Sequence, residues 1–262
     1  MATEIFLEKM TWPEVEERLK ESNIAMVVVA STEAHGRHLP LETDFVEVWE
    51  ITKRAAMKVA DEVKPVIAPP IPYGVSPHLM PFKGTITLRE QTLRELVRDV
   101  CESLIHHGFK KIVLMDGHGG NPPALLTVMN EVSEKTGAFI AKVDWWGAFG
   151  GDVIEKTTET HHLYHACEGE TSVAWACGAR VLMNEAERSM PASPSKYIKF
   201  NAYAQSPIVR AAHGSILALE KLTRTSALGD PTLASKEKGE RIVKAIVDRL
   251  ADFLRELKAI KL

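Results

Sequence analysis

Seven consecutive apolar residues at 24–30, Ile-Ala-Met-Val-Val-Val-Ala, constrain this chain more than any other feature. An unbroken run rich in β-branched residues reads as a strand buried on both faces. Such strands belong to parallel sheets covered by helices on each side. Three further runs extend the pattern. Val66, Ile67 and Ala68 are a short strand candidate closed by Pro69 and Pro70. Residues 111–115 (Lys-Ile-Val-Leu-Met) and 138–143 (Ala-Phe-Ile-Ala-Lys-Val) are two more.

Helical signals lie between the runs. Thr11, Trp12, Pro13 and Glu14 read as a capping box with Pro in the first turn, opening a helix to about Ser22. Apolar spacing predicts a helix over about 44–63. Thr87 and Glu90 read as a second capping box, for a helix to about His107. Pro122 and Pro123 start another helix, and a further one is expected over about 169–181. The last begins near Ser235 and carries Ile242, Ile246, Leu250, Phe253, Leu254 and Leu257 on one face. Strand, loop and helix in repetition predict an α/β fold with a mostly parallel central sheet. Residues 144–165 read as irregular, and 184–232 as loops with short strands. No linker, composition break or repeat interrupts the chain, so residues 1–262 are expected to form one domain.

Charge and cysteine usage narrow the partners. Thirty-two basic against 35 acidic residues leave a formal net charge of −3, which makes no case for nucleic acid or an anionic membrane. The first ten residues lack a basic region and apolar run, so no signal peptide is expected. No apolar run approaches the ~20 residues of a membrane span. Cys101, Cys167 and Cys177 are odd in number, widely spaced and outside any CxxC pair. They suggest neither a disulfide framework nor a thiolate zinc site, and fit a reducing cytoplasm.

The chemistry-bearing residues collect in loops that follow strands. The loop after the first strand (31–44, Ser-Thr-Glu-Ala-His-Gly-Arg-His-Leu-Pro-Leu-Glu-Thr-Asp) holds two histidines and three carboxylates. Carboxylate oxygen with imidazole nitrogen suits Zn²⁺, Mn²⁺ or Fe²⁺. Glu33 and His35 are two residues apart, so an extended segment points both the same way. Asp44 stands where a helix begins and could bridge two metals, or simply cap that helix. The loop after the third strand, 116–121 (Asp-Gly-His-Gly-Gly-Asn), places His118 among glycines that allow a sharp turn and close approach to a ligand. In an open α/β sheet both loops leave the carboxyl edge, where ligands bind. A third cluster, 165–172 (His-Ala-Cys-Glu-Gly-Glu-Thr-Ser), offers His165, Glu168 and Glu170 as further ligands or as a general base. Helix capping would use the same acids. His161 and His162 read as surface or pocket rim, and Trp145 and Trp146 as core or pocket lining. No GxSxG elbow, GxxxxGK[ST] or GxGxxG pattern follows a strand, which leaves serine-hydrolase and nucleotide-binding readings unsupported.

These motifs resemble those of the creatininase family. Residues 31–44 resemble its S/A-x-E-Q-H-G-x-H-L-P-x-x-T-D motif, 116–121 its N-G-H-G-G-N, and 165–172 its H-A-G-E-x-E-T-S. Residues 229–239 resemble its closing G-D-P-x-x-A-x-x-E-K-G. The four come in family order. The resemblance implies an αβα sandwich with two divalent metal ions per chain (Zn, Mn or Fe), hydrolysing small cyclic amides, formamides or related C–N bonds. It implies Glu33 and His118 on one metal, His35 on the other and Asp44 between them. Glu168 would complete the second site, with His165 and Glu170 for proton transfer or support. It also implies a closed homo-oligomer, often a hexamer, acting on a small-molecule substrate. Ala34 replaces the family's Gln, Asp116 its Asn and Cys167 its Gly. Gly119 and Gly120 stand where true creatininases carry Tyr and Glu, the Glu being a metal ligand there. Creatinine is therefore not the expected substrate, and Glu170 is the alternative to Glu168 as last ligand. Two other readings stay open. One is carbon–carbon hydrolysis of an oxidised (diketo) inositol ring by the same centre, and the other a metal-binding protein without catalysis.

Overall fold

The computed structural model describes residues 3–161, 164–189, 220 and 223–261. Its centre is a sheet of four parallel strands: β1 (Ile24–Val29), β2 (Val66–Ile67), β3 (Lys111–Asp116) and β4 (Phe139–Asp144), in the order β2-β1-β3-β4. All residues of β1 and β3 are buried, as continuous apolar runs require. Side chains alternate between two cores. Met26, Val28, Val113 and Met115 face one layer, built from α2 (Thr43–Lys58), α6 (Glu168–Ala176) and α7 (Lys236–Ala259). Ala25, Val27, Val29, Ile112 and Leu114 face the other, built from α3 (Glu90–His106) and α4 (Pro122–Thr136), with α1 (Trp12–Glu21) at its margin. Each fully buried Val, Leu or Ile contributes roughly 1.5–3 kcal/mol of transfer free energy. The αβα sandwich is thus held from both faces of the sheet. Among the described residues, no helix is long and apolar enough to cross a membrane.

The strand order decides where a ligand binds. From β1 the chain crosses outward to β2, then returns to the other side of β1 for β3 and β4. The direction reverses between β1 and β3, so the connections leaving their carboxyl ends run to opposite faces of the sheet and leave a crevice between them. The loops that follow β1 and β3 open into it.

Three local expectations need correction. Glu14 does accept from the Thr11 N–H (2.7 Å) and hydroxyl (2.6 Å), closing the first turn of α1. Thr87 forms no such box. Its hydroxyl accepts from the Ser76 N–H (2.8 Å) and donates to the Leu88 carbonyl (3.1 Å), so α3 starts only at Glu90. The helix expected over about 44–63 stops at Lys58. Residues 145–157, expected to be irregular, form a π-helical turn (Trp145–Gly150) and α5 (Gly151–Thr157). The Asp144 carboxylate caps that turn, accepting from Gly147 N–H (2.7 Å) and Ala148 N–H (3.1 Å). Most of the 184–232 expectation, and His162, lie outside the described residues.

Candidate metal centre

The loop after β1 is pinned at successive backbone atoms. Glu33 N–H donates to Leu41 O (3.0 Å), Ala34 N–H to Thr85 Oγ1 (3.1 Å) and Gly36 N–H to Ser226 Oγ (2.9 Å). Gly36 turns the chain with φ +68°, where a Cβ would also meet the His38 ring. The buried Glu33 and His35 side chains point into the crevice. His38 turns away and bonds Thr171 Oγ1 at 2.8 Å.

Asp44, in the first turn of α2, meets both halves of the centre. Its Oδ1 lies 3.0 Å from His35 Nε2 and its Oδ2 3.1 Å from His118 Nδ1. His118 Nδ1 is also 3.3 Å from Glu33 Oε2. The His118 backbone N–H donates to the buried Asp116 carboxylate (3.1 Å), which fixes the loop after β3. From the third cluster, the start of α6 brings Glu170 Oε2 to 3.8 Å from His35 Nε2. His165 packs its ring 4.2 Å from that of His35, with Nδ1 3.8 Å from Glu33 Oε1.

Glu168 does not reach the centre. Its carboxylate accepts from the N–H groups of Glu159 and Thr160 and the Thr160 hydroxyl, each at 2.9 Å, and from Lys238 Nζ at 2.6 Å. These four donors occupy both oxygens and draw the side chain to the opposite side of α6. The last carboxylate in the crevice is Glu170.

Among the described residues, ligand atoms converge in three overlapping groups: Glu33, Asp44 and His118; His35, Asp44 and Glu170; and Glu33, His35 and His165. The donor set fits metal ions. Glu33 Oε1, His35 Nε2 and Asp44 Oδ2 are buried yet have no hydrogen-bond partner among the described residues. Three carboxylates buried this deeply also demand compensating positive charge. Without a cation, protons supply it. Burial disfavours the His35 imidazolium, but Asp44, Glu170 and Glu33 hold its pKa up to about 10. Burial likewise opposes charge on His118, and Glu33 and Asp44 raise it well above the usual histidine range. Glu170 rises to about 7 through burial and the Asp44 and Glu33 charges, against the attraction of His35. His165 falls to about 3 through burial and the neighbouring His35.

Residues 8–254 match the family model described as creatininase, creatinine amidohydrolase. The chain belongs to the creatininase family. It is 26% identical over 270 residues to the 3-dehydro-scyllo-inosose hydrolase of Thermotoga maritima, covering 97% of this chain and 84% of that one. It is 24% identical to the creatinine amidohydrolase of Pseudomonas putida, over 98% of each chain. A solved mutant creatininase of the Zn–Zn type has the same fold, with a TM-score of 0.77 at 22% identity over 96% of this chain and 97% of that one.

The departure from true creatininases at Gly120 has a steric basis. A Cβ there would sit 2.1 Å from Val75 O and 2.5 Å from His118 Nε2. The loop after β3 is packed so closely that no side chain, and hence no ligand, fits at this position. The carboxylate that reaches the crevice from α6 is that of Glu170, 3.8 Å from His35 Nε2.

Three residues at this creatininase-like centre escaped the sequence reading. Ser76 donates its hydroxyl to Glu33 Oε2, lies 2.6 Å from Ser31 Oγ and sits 3.1 Å from His118 Nε2. His78 stacks parallel to His118, with ring centroids 6.1 Å apart. Both lie in the loop after β2, which leaves the same sheet edge, and that placement was the available signal. The third is Glu47, one turn beyond Asp44 on the buried face of α2. It is fully buried and neither carboxylate oxygen makes a well-formed hydrogen bond among the described residues.

Burial and the Glu170 and Asp44 charges push the Glu47 pKa well above its ordinary 4.5, against a weaker backbone contact with Ala174. The folded chain therefore holds a proton on Glu47 that the unfolded chain releases above its own carboxylate pKa. Stability falls as pH rises through that window. Glu47→Gln removes the titration and keeps the shape. In the metal-free chain, its melting temperature should match wild type near pH 4.5 and exceed it increasingly toward pH 8. Parallel melting curves across that range would show that Glu47 is ionised in the fold.

Proposed function

We propose that this chain is a binuclear metal-dependent hydrolase that opens a small cyclic amide, formamide or related C–N bond. The observation that carries this reading is Asp44, whose two carboxylate oxygens belong to two separate donor sets. Glu33, Asp44 and His118 would hold one divalent ion, and His35, Asp44 and Glu170 the other. Carboxylate and imidazole donors suit Zn²⁺, Mn²⁺ or Fe²⁺. Two such ions, when bound, supply a water acidified toward neutral pH and a polarised carbonyl.

The chain's own groups do the rest. His165 Nε2 lies 2.8 Å from the Ala34 carbonyl, which only accepts, so Nε2 carries the proton. Its Nδ1 is then an unprotonated acceptor facing Glu33 and the crevice. With its pKa held down to about 3 this ring stays uncharged at neutral pH, and its part is to accept a hydrogen bond at Nδ1 and orient the attacking water. Glu170 takes the ligand place that the resemblance gave to Glu168. The Ser76 hydroxyl and the Asp116–His118 contact hold Glu33 and His118 in register.

The Thermotoga maritima relative favours a second substrate class, a diketo-inositol ring opened at a carbon–carbon bond. The two readings separate on products, because only C–N hydrolysis releases an amine or ammonia. A closed structural metal site would have no use for a neutral His165 at its rim, which argues against a non-catalytic role. We further take the chain to act as a closed homo-oligomer of up to six copies in a reducing cytoplasm. Its three cysteines are free and buried, in keeping with that compartment.

Elemental analysis of the purified protein beside His118→Ala tests the centre. Two ions per chain, falling in the variant, are expected, together with turnover in a screen of formamides, lactams and keto-inositols. Absence of metal after incubation with Zn²⁺, Mn²⁺ and Fe²⁺ would overturn the reading.

A further inference from the structure

We infer that Glu168 and Lys238 form a positioning pair that sets the rotation of α6 and so aims Glu170 at the second metal position. The inference rests on the binuclear reading above. Helix α6 has nine residues and no side-chain cap of its own. Glu168 and Glu170 both lie in its first turn. Two residues correspond to about 200° around a helix, so the two acids point to opposite sides. Glu170 points at His35 and accepts the Ala166 N–H. Glu168 stays buried but points away from the crevice, and its partners are the 159–160 backbone, the Thr160 hydroxyl and Lys238 rather than the free N–H groups of α6 itself.

Lys238 is itself fixed. Its ammonium also donates to the Leu233 carbonyl (2.8 Å) and to Glu159 (3.0 Å). Two more contacts lock α6 to the start of α7. Ser172 Oγ donates to Glu168 O (2.7 Å) and accepts the Ser235 N–H (3.1 Å). Gly239 approaches so closely that a Cβ there would lie 1.8 Å from Ser172 O. Turning α6 about its axis would break the Glu168 contacts together with those of Ser172. The closing 229–239 segment thereby acts on the metal centre without touching it. Glu168 offers no atom to the ligand groups found among the described residues.

The test is calorimetric titration of the metal-stripped, full-length chain with Zn²⁺, run beside thermal melting. Glu168→Gln and Lys238→Met should bind one ion as wild type does and the other about 10–100-fold more weakly, the usual effect of losing a group that orients a ligand. Lys238→Arg should restore the second constant. A merely structural pair would lower the melting temperature and leave both constants intact. Lys238→Met keeps three of the four Glu168 donors, so it serves if Glu168→Gln does not fold. Wild-type constants for both ions in a folded Lys238→Met chain would overturn the inference and leave the binuclear reading standing. A wild-type chain that takes up no zinc would overturn both.

Discussion

Asp44→Ala is expected to empty both metal positions at once and to reduce hydrolysis by at least about 10³-fold. The magnitude follows from losing metal-ion catalysis worth several kcal/mol, at 1.36 kcal/mol per decade of rate. Asp44 is the one residue shared by the Glu33–His118 and His35–Glu170 donor sets. Without it each set keeps two protein donors, fewer than the three that catalytic sites of this type use. Asp44 is 2% exposed and pairs with both His35 and His118 in the metal-free chain. Leaving two buried imidazolium groups with one carboxylate partner fewer destabilises the fold. The metal-free variant should therefore melt below metal-free wild type, and added Zn²⁺ should not stabilise it. Elemental analysis with circular dichroism checks both halves of the expectation. A folded variant that keeps two ions per chain would rule out the bridging role.

The layers and the site edge were legible in the chain because both depend on local order. Residues 24–30 and 111–115 read as buried strands, and the loops after them had to share the carboxyl edge of a parallel sheet. That placed Glu33, His35, Asp44 and His118 together before any coordinates. What could not be read depends on distant partners. Glu168 and Glu170 are equivalent in local sequence, and Lys238, 70 residues away, decides which of them turns away from the crevice. Thr87 carries the same capping signal as Thr11, but Ser76 claims its hydroxyl. Ser76 and His78 sit in a loop whose Pro and Gly content signals only irregularity. The helix over Trp145–Gly150 was hidden because Gly147 and Gly150 break the apolar period, and the turn is stabilised by a side-chain cap on Asp144.

Chelation should lower the melting temperature by about 8–16 °C at neutral pH. An ion present at 1,000 times its dissociation constant adds about 4 kcal/mol to folding stability. Each kcal/mol moves the midpoint by roughly 2–4 °C in a chain near this size. A second ion would add to the shift. The gap between loaded and stripped protein should also depend on pH, with a sign set by the histidines. In the stripped chain the surrounding carboxylates hold His35 up to about 10 and raise His118 well above its usual range. Both rings are protonated there at pH 7, and a metal must displace those protons to reach the nitrogen lone pairs. Lower pH therefore favours the stripped form, and the melting gap should shrink steadily from pH 8 to pH 6. Paired melts with a chelator or with excess Zn²⁺ measure it directly. A gap that stayed constant across this range would mean that the stabilising ions displace no protons, and hence that they are not bound to His35 and His118.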